Sequence, residues 1–198
     1  MRIIAGRCKG RRLRSPGHRL AGGRVRPTSD RAREALFNLL QEEVAGAAVL
    51  DLFAGTGALG LEALSRGAAQ ALFVEGSRAV ARLLRENIEI CEFAAQSRVV
   101  VRDCGARFAF LPPLAPAAGF NLILADPPYG KGLAGATLAK MAAMPTSFFA
   151  PGAVLVLETG QQETLPHIAG PFQRQRDSRR YGEARFHFFN YREKVLDE

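Results

Sequence analysis

Residues 120–130 read FNLILADPPYG, an apolar run of strand length that ends in an acid, two prolines and an aromatic. Asn121 to Ala125 is almost uninterruptedly apolar, the pattern of a central parallel strand covered on both faces. Asp126 then lies outside the carboxyl end of that strand, where open α/β sheets hold ligands. Pro127 and Pro128 each fix φ and lack an N–H, so the loop is stiff and offers carbonyls without donors. A carboxylate and a carbonyl stand side by side, with Tyr129 a flat ring next to them. That set suits a flat molecule bearing an NH2 group. Asp126 and the Pro127 carbonyl each accept one amine hydrogen, while Tyr129 stacks on the ring that carries the amine. A Pro-Pro turn closed by an Asx-type bond would contain the same four residues.

Upstream, Ala47 to Phe53 (AAVLDLF) reads as another core strand, followed by AGTGALGLEALSRGA. Gly55, Gly57 and Gly60 form G-x-G-x-x-G at a strand-to-helix turn, where glycines let the backbone approach a cofactor, and Ala58 to Arg66 supplies the helix. Gln70 to Glu75 is the next strand, and its terminal Glu75 is placed to accept both hydroxyls of a ribose. This order fits NAD and S-adenosylmethionine (SAM). A dinucleotide seats its pyrophosphate at the helix N-terminus, and Asp51, four residues before Gly55, would repel it. SAM has no phosphate and carries an ammonium and a sulfonium, so Asp51 favours SAM. Arg98 to Arg102 forms a further strand ending at Asp103 and Cys104. There Asp103 is placed to accept from an adenine amine and the Cys104 N–H to donate to a ring nitrogen; a helix N-cap at Asp103 is the alternative.

At 198 residues with 47% hydrophobic content, the chain suits one domain with a sizeable core and an appendage. No apolar run approaches the roughly 18 residues of a membrane span, and the N-terminus has no signal-peptide core, so a cytoplasmic protein is expected. Cys8, Cys91 and Cys104 are widely spaced and make neither a disulfide framework nor a metal site. The formal net charge of +8 is unevenly spread: residues 1–33 hold ten Arg and one Lys against the single acid Asp30, a net of +10. That arm has the footprint of a polyanion partner, most simply nucleic acid. Its spaced apolar residues, Ile3, Ile4, Leu13, Leu20 and Val25, predict a structured element and not a solvated tail.

Arg2–Ala5 and Arg11–Arg14 pair as a short hairpin in this reading, and residues 15–26 are loop. Thr28 or Ser29 caps a helix with Asp30 in its first turn and Ala32, Leu36, Leu39 and Leu40 at helical spacing. Arg26, Arg31 and Arg33 cluster there as candidate phosphate contacts, with capping and solvation as the plainer alternative. Arg78–Ile90 is an amphipathic helix, with Val80, Leu83, Leu84, Asn87 and Ile88 on its inner stripe. Leu133–Met144 is a helix and Ala153–Glu158 a fifth strand. Phe172–Arg180 and Ala184–Arg192 form a terminal hairpin. Its arginines, Arg174, Arg176, Arg179 and Arg180, read as a solvated edge, and His187 as packing.

D-P-P-Y resembles the [DN]-P-P-[YF] motif of SAM-dependent amino-methyltransferases. Asp51 to Gly57, DLFAGTG, resembles motif I of class I methyltransferases, which adds Phe53 to the cofactor set. With RIIAGRCKGRRL at the start and RPTSDRAREALFNLL after it, the whole chain resembles the bacterial 16S rRNA guanine-N2 methyltransferase family named RsmD. The N-terminal pair is the family-specific part; the C-terminal third matches only loosely. The resemblance implies methyl transfer from SAM to the N2 amine of guanine 966 in 16S rRNA. A small-subunit particle or assembly intermediate is the expected acceptor, with naked rRNA the open alternative; a monomer is expected, and the chemistry requires no metal. Asp126, Pro127 and Tyr129 would be catalytic. Asp51, Phe53, Gly55, Gly57, Glu75, Asp103, Cys104 and Asp126 would meet the cofactor, and Arg2, Arg7, Lys9, Arg11, Arg12, Arg26 and Arg31 the RNA. The fold expected is a Rossmann-like class I methyltransferase α/β sheet, mostly parallel with a C-terminal antiparallel hairpin, with residues 1–45 a basic extension and 46–198 the methyltransferase domain. A DNA adenine or protein glutamine methyltransferase would use the same corner. A non-catalytic RNA-binding assembly factor would keep only the arm.

Overall fold

The computed structural model describes residues 1–15 and 29–192. Five parallel strands come first: β1 (Ala48–Leu52), β2 (Gln70–Glu75), β3 (Ser97–Val101), β4 (Phe120–Ala125) and β5 (Phe149–Gly160). Three antiparallel strands complete one sheet: β6 (Ile168–Ala169), β7 (Phe172–Tyr181) and β8 (Ala184–Tyr191). Their order is β3-β2-β1-β4-β5-β8-β7-β6. The chain winds outward from β1 through β2 to β3, then returns to β1's other side with β4. The topological switch point therefore falls between β1 and β4, the crevice where open α/β sheets bind ligands.

The central strands are apolar because both faces are covered: every residue of β1 is buried, as are Leu122 to Ala125 of β4. Alternation then divides them, with Val49, Leu122 and Leu124 in one core and Leu50, Leu52 and Ile123 in the other. On the first face lie α1 (Asp30–Leu39), the four-residue α2 (Gln41–Val44), α3 (Ala58–Ser65) and α4 (Arg78–Ile90). On the second lie α5 (Leu133–Ala142) and a cluster of Phe120, Phe148, Phe149, Phe172 and Tyr191.

The basic arm is a folded element. Arg2 and Arg12 bridge antiparallel, with Ile3 N–H donating to the Arg11 carbonyl at 3.0 Å and Gly10 N–H to the Ile3 carbonyl at 2.9 Å. Ile3, Cys8 and Leu13 share one core with Leu36, Phe37 and Leu40 of the first helical region and with Leu61 and Leu84 of α3 and α4. Residues 1–45 and 46–198 thus contribute to a common core. Ser29 caps α1, its Oγ accepting from Ala32 N–H at 3.1 Å. Arg26, Thr28 and the Gly/Arg-rich loop lie outside the described residues.

Two expectations need correction. Arg33 is not a phosphate contact: it has no exposed surface because it shares a helical face with Leu36, Phe37 and Leu40, three, four and seven residues on. Arg174 and Arg176 are not a solvated edge. Arg174 donates to the carbonyls of Leu165 and Pro166 and lies 5.6 Å over the Phe189 ring. Arg176 donates to the Leu39 carbonyl and Glu43, both at 2.9 Å, and clamps β7 to α1 and α2. The two-residue β6 was absent from the sequence reading, being too short to carry periodicity. His187 is packed as expected: 1% exposed, 2.9 Å from Thr159 Oγ1, its pKa lowered to about 4 by burial.

Candidate active site at the carboxyl edge of the sheet

Strand register sets the site. Val101 pairs with Glu75, Val74 with Leu52, Leu52 with Ala125, and Ala125 with Leu157. The residues that follow, Arg102–Cys104, Phe53–Gly57, Asp126–Tyr129 and Glu158–Gly160, therefore line one edge in a row.

The glycine loop leaves β1 with Phe53 at φ 58°, a left-handed conformation uncommon for a non-glycine residue. Gly55 and Gly57 follow at φ 55° and 82°. The three glycines of the motif serve different ends. A Cβ at Gly57 would fall 2.3 Å from Leu84 Cδ1, and one at Gly60 would fall 2.3 Å from Phe73 Cε1, so these two permit packing against α4 and β2. A Cβ at Gly55 would meet only the Phe53 carbonyl, at 3.8 Å. Gly55 faces open space and is the glycine over which a ligand can lie.

The acids divide in the same way. Glu75 ties the loop down, accepting from Gly55 N–H at 2.9 Å through one oxygen and from Ser77 N–H at 2.7 Å through the other. A carboxylate has about four acceptor positions, so Glu75 keeps two for a diol. Asp51 lies beneath the loop, 1% exposed, accepting from Gly60 N–H at 2.9 Å. Burial raises its carboxyl from the ordinary 3.8 to about 7. Asp103 is exposed and accepts from Gly105 N–H at 2.7 Å in an Asx-type turn. A helix N-cap at Asp103 does not form, because no helix directly follows it. Cys104 is buried, and burial pushes its thiol up to about 12, so it contributes backbone only. Lys140 of α5 fixes that turn, donating to the carbonyls of Cys104 and Gly105 at 3.1 and 2.7 Å.

At the corner after β4, Asp126 is half-buried, Pro127 buried and Tyr129 41% exposed. The Tyr129 hydroxyl donates to Glu158, itself 3% exposed at the end of β5. Gly130 N–H donates to Glu163. Burial and the adjoining Glu158 carboxylate push the Tyr129 hydroxyl far above its ordinary value, so it stays a donor. Its ring lies against Gly160, where a Cβ would sit 3.5 Å away. One edge of the ring is thus anchored while the rest stays open for stacking.

Of the arm's cations, Arg7 spans α4's end, 4.6 Å over Phe93 and donating to the Glu92 carbonyl and Gln96. Arg11 donates to the Ile90 carbonyl and pairs with Glu92 at 2.8 Å, which raises its pKa further. Arg2 pairs with Asp30 at 3.4 Å. Lys9, Arg12 and Arg31 are exposed, with no ion pair to any described residue. Among the described residues no group of three or more His, Cys, Asp or Glu is arranged to hold a metal ion, and no helix is long and apolar enough to cross a membrane. A recess of about 210 Å³, lined by Glu42, Glu43, Asn121 and Pro151 among others, lies at the opposite edge of the sheet.

A protein-family profile described as "Conserved hypothetical protein 95" matches residues 1–190. The ribosomal RNA small subunit methyltransferase D of Escherichia coli K12 is 37% identical over 171 residues, 85% of this chain and 79% of that protein. This chain belongs to that family. A solved Escherichia coli chain superposes with a TM-score of 0.79 at 32% identity, covering 97% of this chain and 98% of that one. An RNA methyltransferase of Salinibacter ruber, solved with S-adenosyl-L-homocysteine, shares the fold at a TM-score of 0.60 and 13% identity, covering 87% of this chain and 98% of that one.

Three buried polar residues behind the family's methyltransferase edge have roles that the sequence reading did not assign. Glu158 holds Tyr129. Glu62, with no exposed surface, accepts from Ile4 and Ala5 N–H at 2.7 and 3.0 Å. Asn87 bonds both the arm and the glycine loop. Of these, Asn87 carried a signal, an amide in the apolar stripe of α4.

Proposed function

We propose that this SAM-dependent rRNA methyltransferase methylates the exocyclic N2 amine of guanine 966 in 16S rRNA, acting as a metal-free monomer on a small-subunit particle. The observation that carries the reading is the single row along the sheet edge. A ribose-accepting carboxylate, an open glycine and an Asp-Pro-Pro-Tyr corner stand side by side across the switch point.

The residues present fit the cofactor. Glu75 retains acceptor positions for a ribose diol, Gly55 leaves open space above the loop, and Asp103 offers an exposed carboxylate to an amine. No phosphate has to be met by Asp51. When bound, SAM supplies an electrophilic methyl group on a sulfonium. A cation held above the loop would draw the Asp51 carboxyl back towards its ionised form, since an opposite charge favours the charged state.

The N2 lone pair of guanine is delocalised into the ring and is a weak nucleophile. Asp126 and the Pro127 carbonyl accept its two N–H bonds, which favours a pyramidal nitrogen and stabilises the positive charge that develops there. As the N–C bond forms, one of those hydrogens leaves as a proton to Asp126 or to water. Tyr129 stacks on the unstacked base, its hydroxyl held by Glu158 so that the ring plane is fixed before the base arrives. Holding N2 against the methyl group supplies the remaining advantage, one of proximity. Lys9, Arg12 and Arg31 contact phosphates directly, while Arg2, Arg7 and Arg11 shape the surface that presents them.

The test is Asp126→Ala. Transfer to undermethylated small subunits falls by at least about a hundredfold, the usual loss when a preorganised electrostatic contact is removed, far more than S-adenosylhomocysteine affinity falls. Turnover near the wild-type rate would refute the role of Asp126.

A further inference from the structure

Asn87 sits in the last turn of α4 with no exposed surface. Its side-chain N–H groups donate to the Thr56 carbonyl at 2.9 Å and to the Arg14 carbonyl at 3.0 Å, and its oxygen accepts from Arg14 N–H at 2.7 Å. Thr56 lies between Gly55 and Gly57 in the cofactor loop, and Arg14 lies one residue before the end of the arm's first described stretch. One amide therefore joins the two segments, and all three bonds are to backbone, so they fix main-chain position whatever the side chains do. Nothing else in α4's inner stripe is polar; Ala81, Leu84 and Ile88 pack beside it. Burying a primary amide is costly unless its groups are satisfied, and here the partners that satisfy it come from both segments at once. A second contact runs the same way, Thr56 Oγ1 to Met1 Sδ at 3.9 Å.

We infer that Asn87 is a positioning residue that couples RNA engagement by the arm to cofactor binding at the glycine loop. The inference rests on the proposed roles of those two segments. A phosphate grip on the folded arm holds Arg14 in place. Arg14 then holds the Asn87 amide in the rotamer that receives the Thr56 carbonyl, and the loop is set for the cofactor. Linkage makes the effect reciprocal: RNA tightens cofactor binding by the factor by which cofactor tightens RNA binding.

The measurement is equilibrium dialysis of labelled S-adenosylhomocysteine against the full chain, with and without undermethylated small-subunit particles. The wild type is expected to bind about fivefold or more tightly when particles are present, the lower end of typical coupling. Asn87→Asp keeps an acceptor for Arg14 N–H but turns oxygens towards the two carbonyls, and its ratio falls towards one. Arg14→Pro removes the arm-side N–H with Asn87 left in place and also collapses the ratio, which covers the case in which the Asn87 variant fails to fold. Arg14→Ala, which loses only the ion pair to Glu86, keeps the wild-type ratio. A general loss of stability would weaken both affinities and leave their ratio alone. A wild-type ratio of one, or an unchanged ratio in folded Arg14→Pro, overturns the coupling. Failure of the wild type to bind either S-adenosylhomocysteine or particles would instead overturn the proposed function.

Discussion

Replacing Glu62 by alanine tests how the arm is held. Glu62 and Arg33 both have no exposed surface, and their charged groups lie 3.9 Å apart, an ion-pair separation without a direct hydrogen bond. Burial pulls the Arg33 guanidinium below its ordinary pKa, opposed by the charges of Glu62 and Asp30. Glu62 also accepts from Ile4 and Ala5 N–H and from Arg66 Nε at 2.7 Å. Its removal leaves Arg33 buried beside one half-exposed carboxylate, Asp30, at 2.9 Å, and leaves two arm amides without acceptors. Removing one partner of a buried pair costs about 3–5 kcal/mol, a large share of the roughly 5–15 kcal/mol that holds a domain together. With a urea dependence of about 2 kcal/mol per molar, the unfolding midpoint drops by roughly 1.5–2.5 M. Glu62→Gln, which keeps the volume and one acceptor, falls in between. Amide exchange at Ile4 and Ala5 accelerates in both variants. A midpoint shift below about 0.5 M, with those amides still protected, would refute the idea that this carboxylate bolts the arm to α3.

Other outcomes follow from the same contacts. Tyr129→Phe keeps the stacking ring but loses the bond to Glu158; turnover should fall about tenfold or more, from roughly 1.5–3 kcal/mol for a hydrogen bond to a charged group, with S-adenosylhomocysteine affinity unchanged. Equal turnover would detach Glu158 from catalysis. The Asp51 carboxyl, near 7 in the folded chain against 3.8 ordinarily, binds its proton more tightly when folded. Its contribution to stability is therefore complete below about pH 4 and is lost as pH rises through 7, at up to about 1.4 kcal/mol per pH unit. Urea midpoints of the cofactor-free protein should decline from pH 5 to 8, and Asp51→Asn should flatten the curve; parallel curves would assign the decline elsewhere. Arg12→Ala should weaken RNA binding and reduce the salt slope by about 0.7–0.9, one phosphate contact. Arg33→Ala should instead lower the unfolding midpoint, and an Arg12 slope equal to wild type would remove that residue from the phosphate grip.

Elements whose information is local were legible in the sequence. Gln70–Glu75 and Arg78–Ile90 were read to the residue because strand residues, a Ser77 cap and a clean helical stripe coincide there. The row of Asp126, Glu75 and Gly55 was legible because each ends or follows a strand, and topology alone gathers strand ends. Arg33 was misread although its signal was present: its register with Leu36 and Phe37 points it inward, but a run of arginines reads as charge. Glu158 and Glu62 were not legible, since their partners lie 29 and 58 residues away and pairing at such separations is decided only by the completed fold. Phe53's positive φ had no sequence signature either. It is imposed by the turn from β1 into the glycine loop.

The most direct test is nucleoside analysis of rRNA after transfer of labelled methyl from SAM to undermethylated small-subunit particles. The account predicts N2-methylguanosine at one position, guanine 966, and none with Asp126→Ala. Label in adenine, in protein, or at several guanines would contradict it.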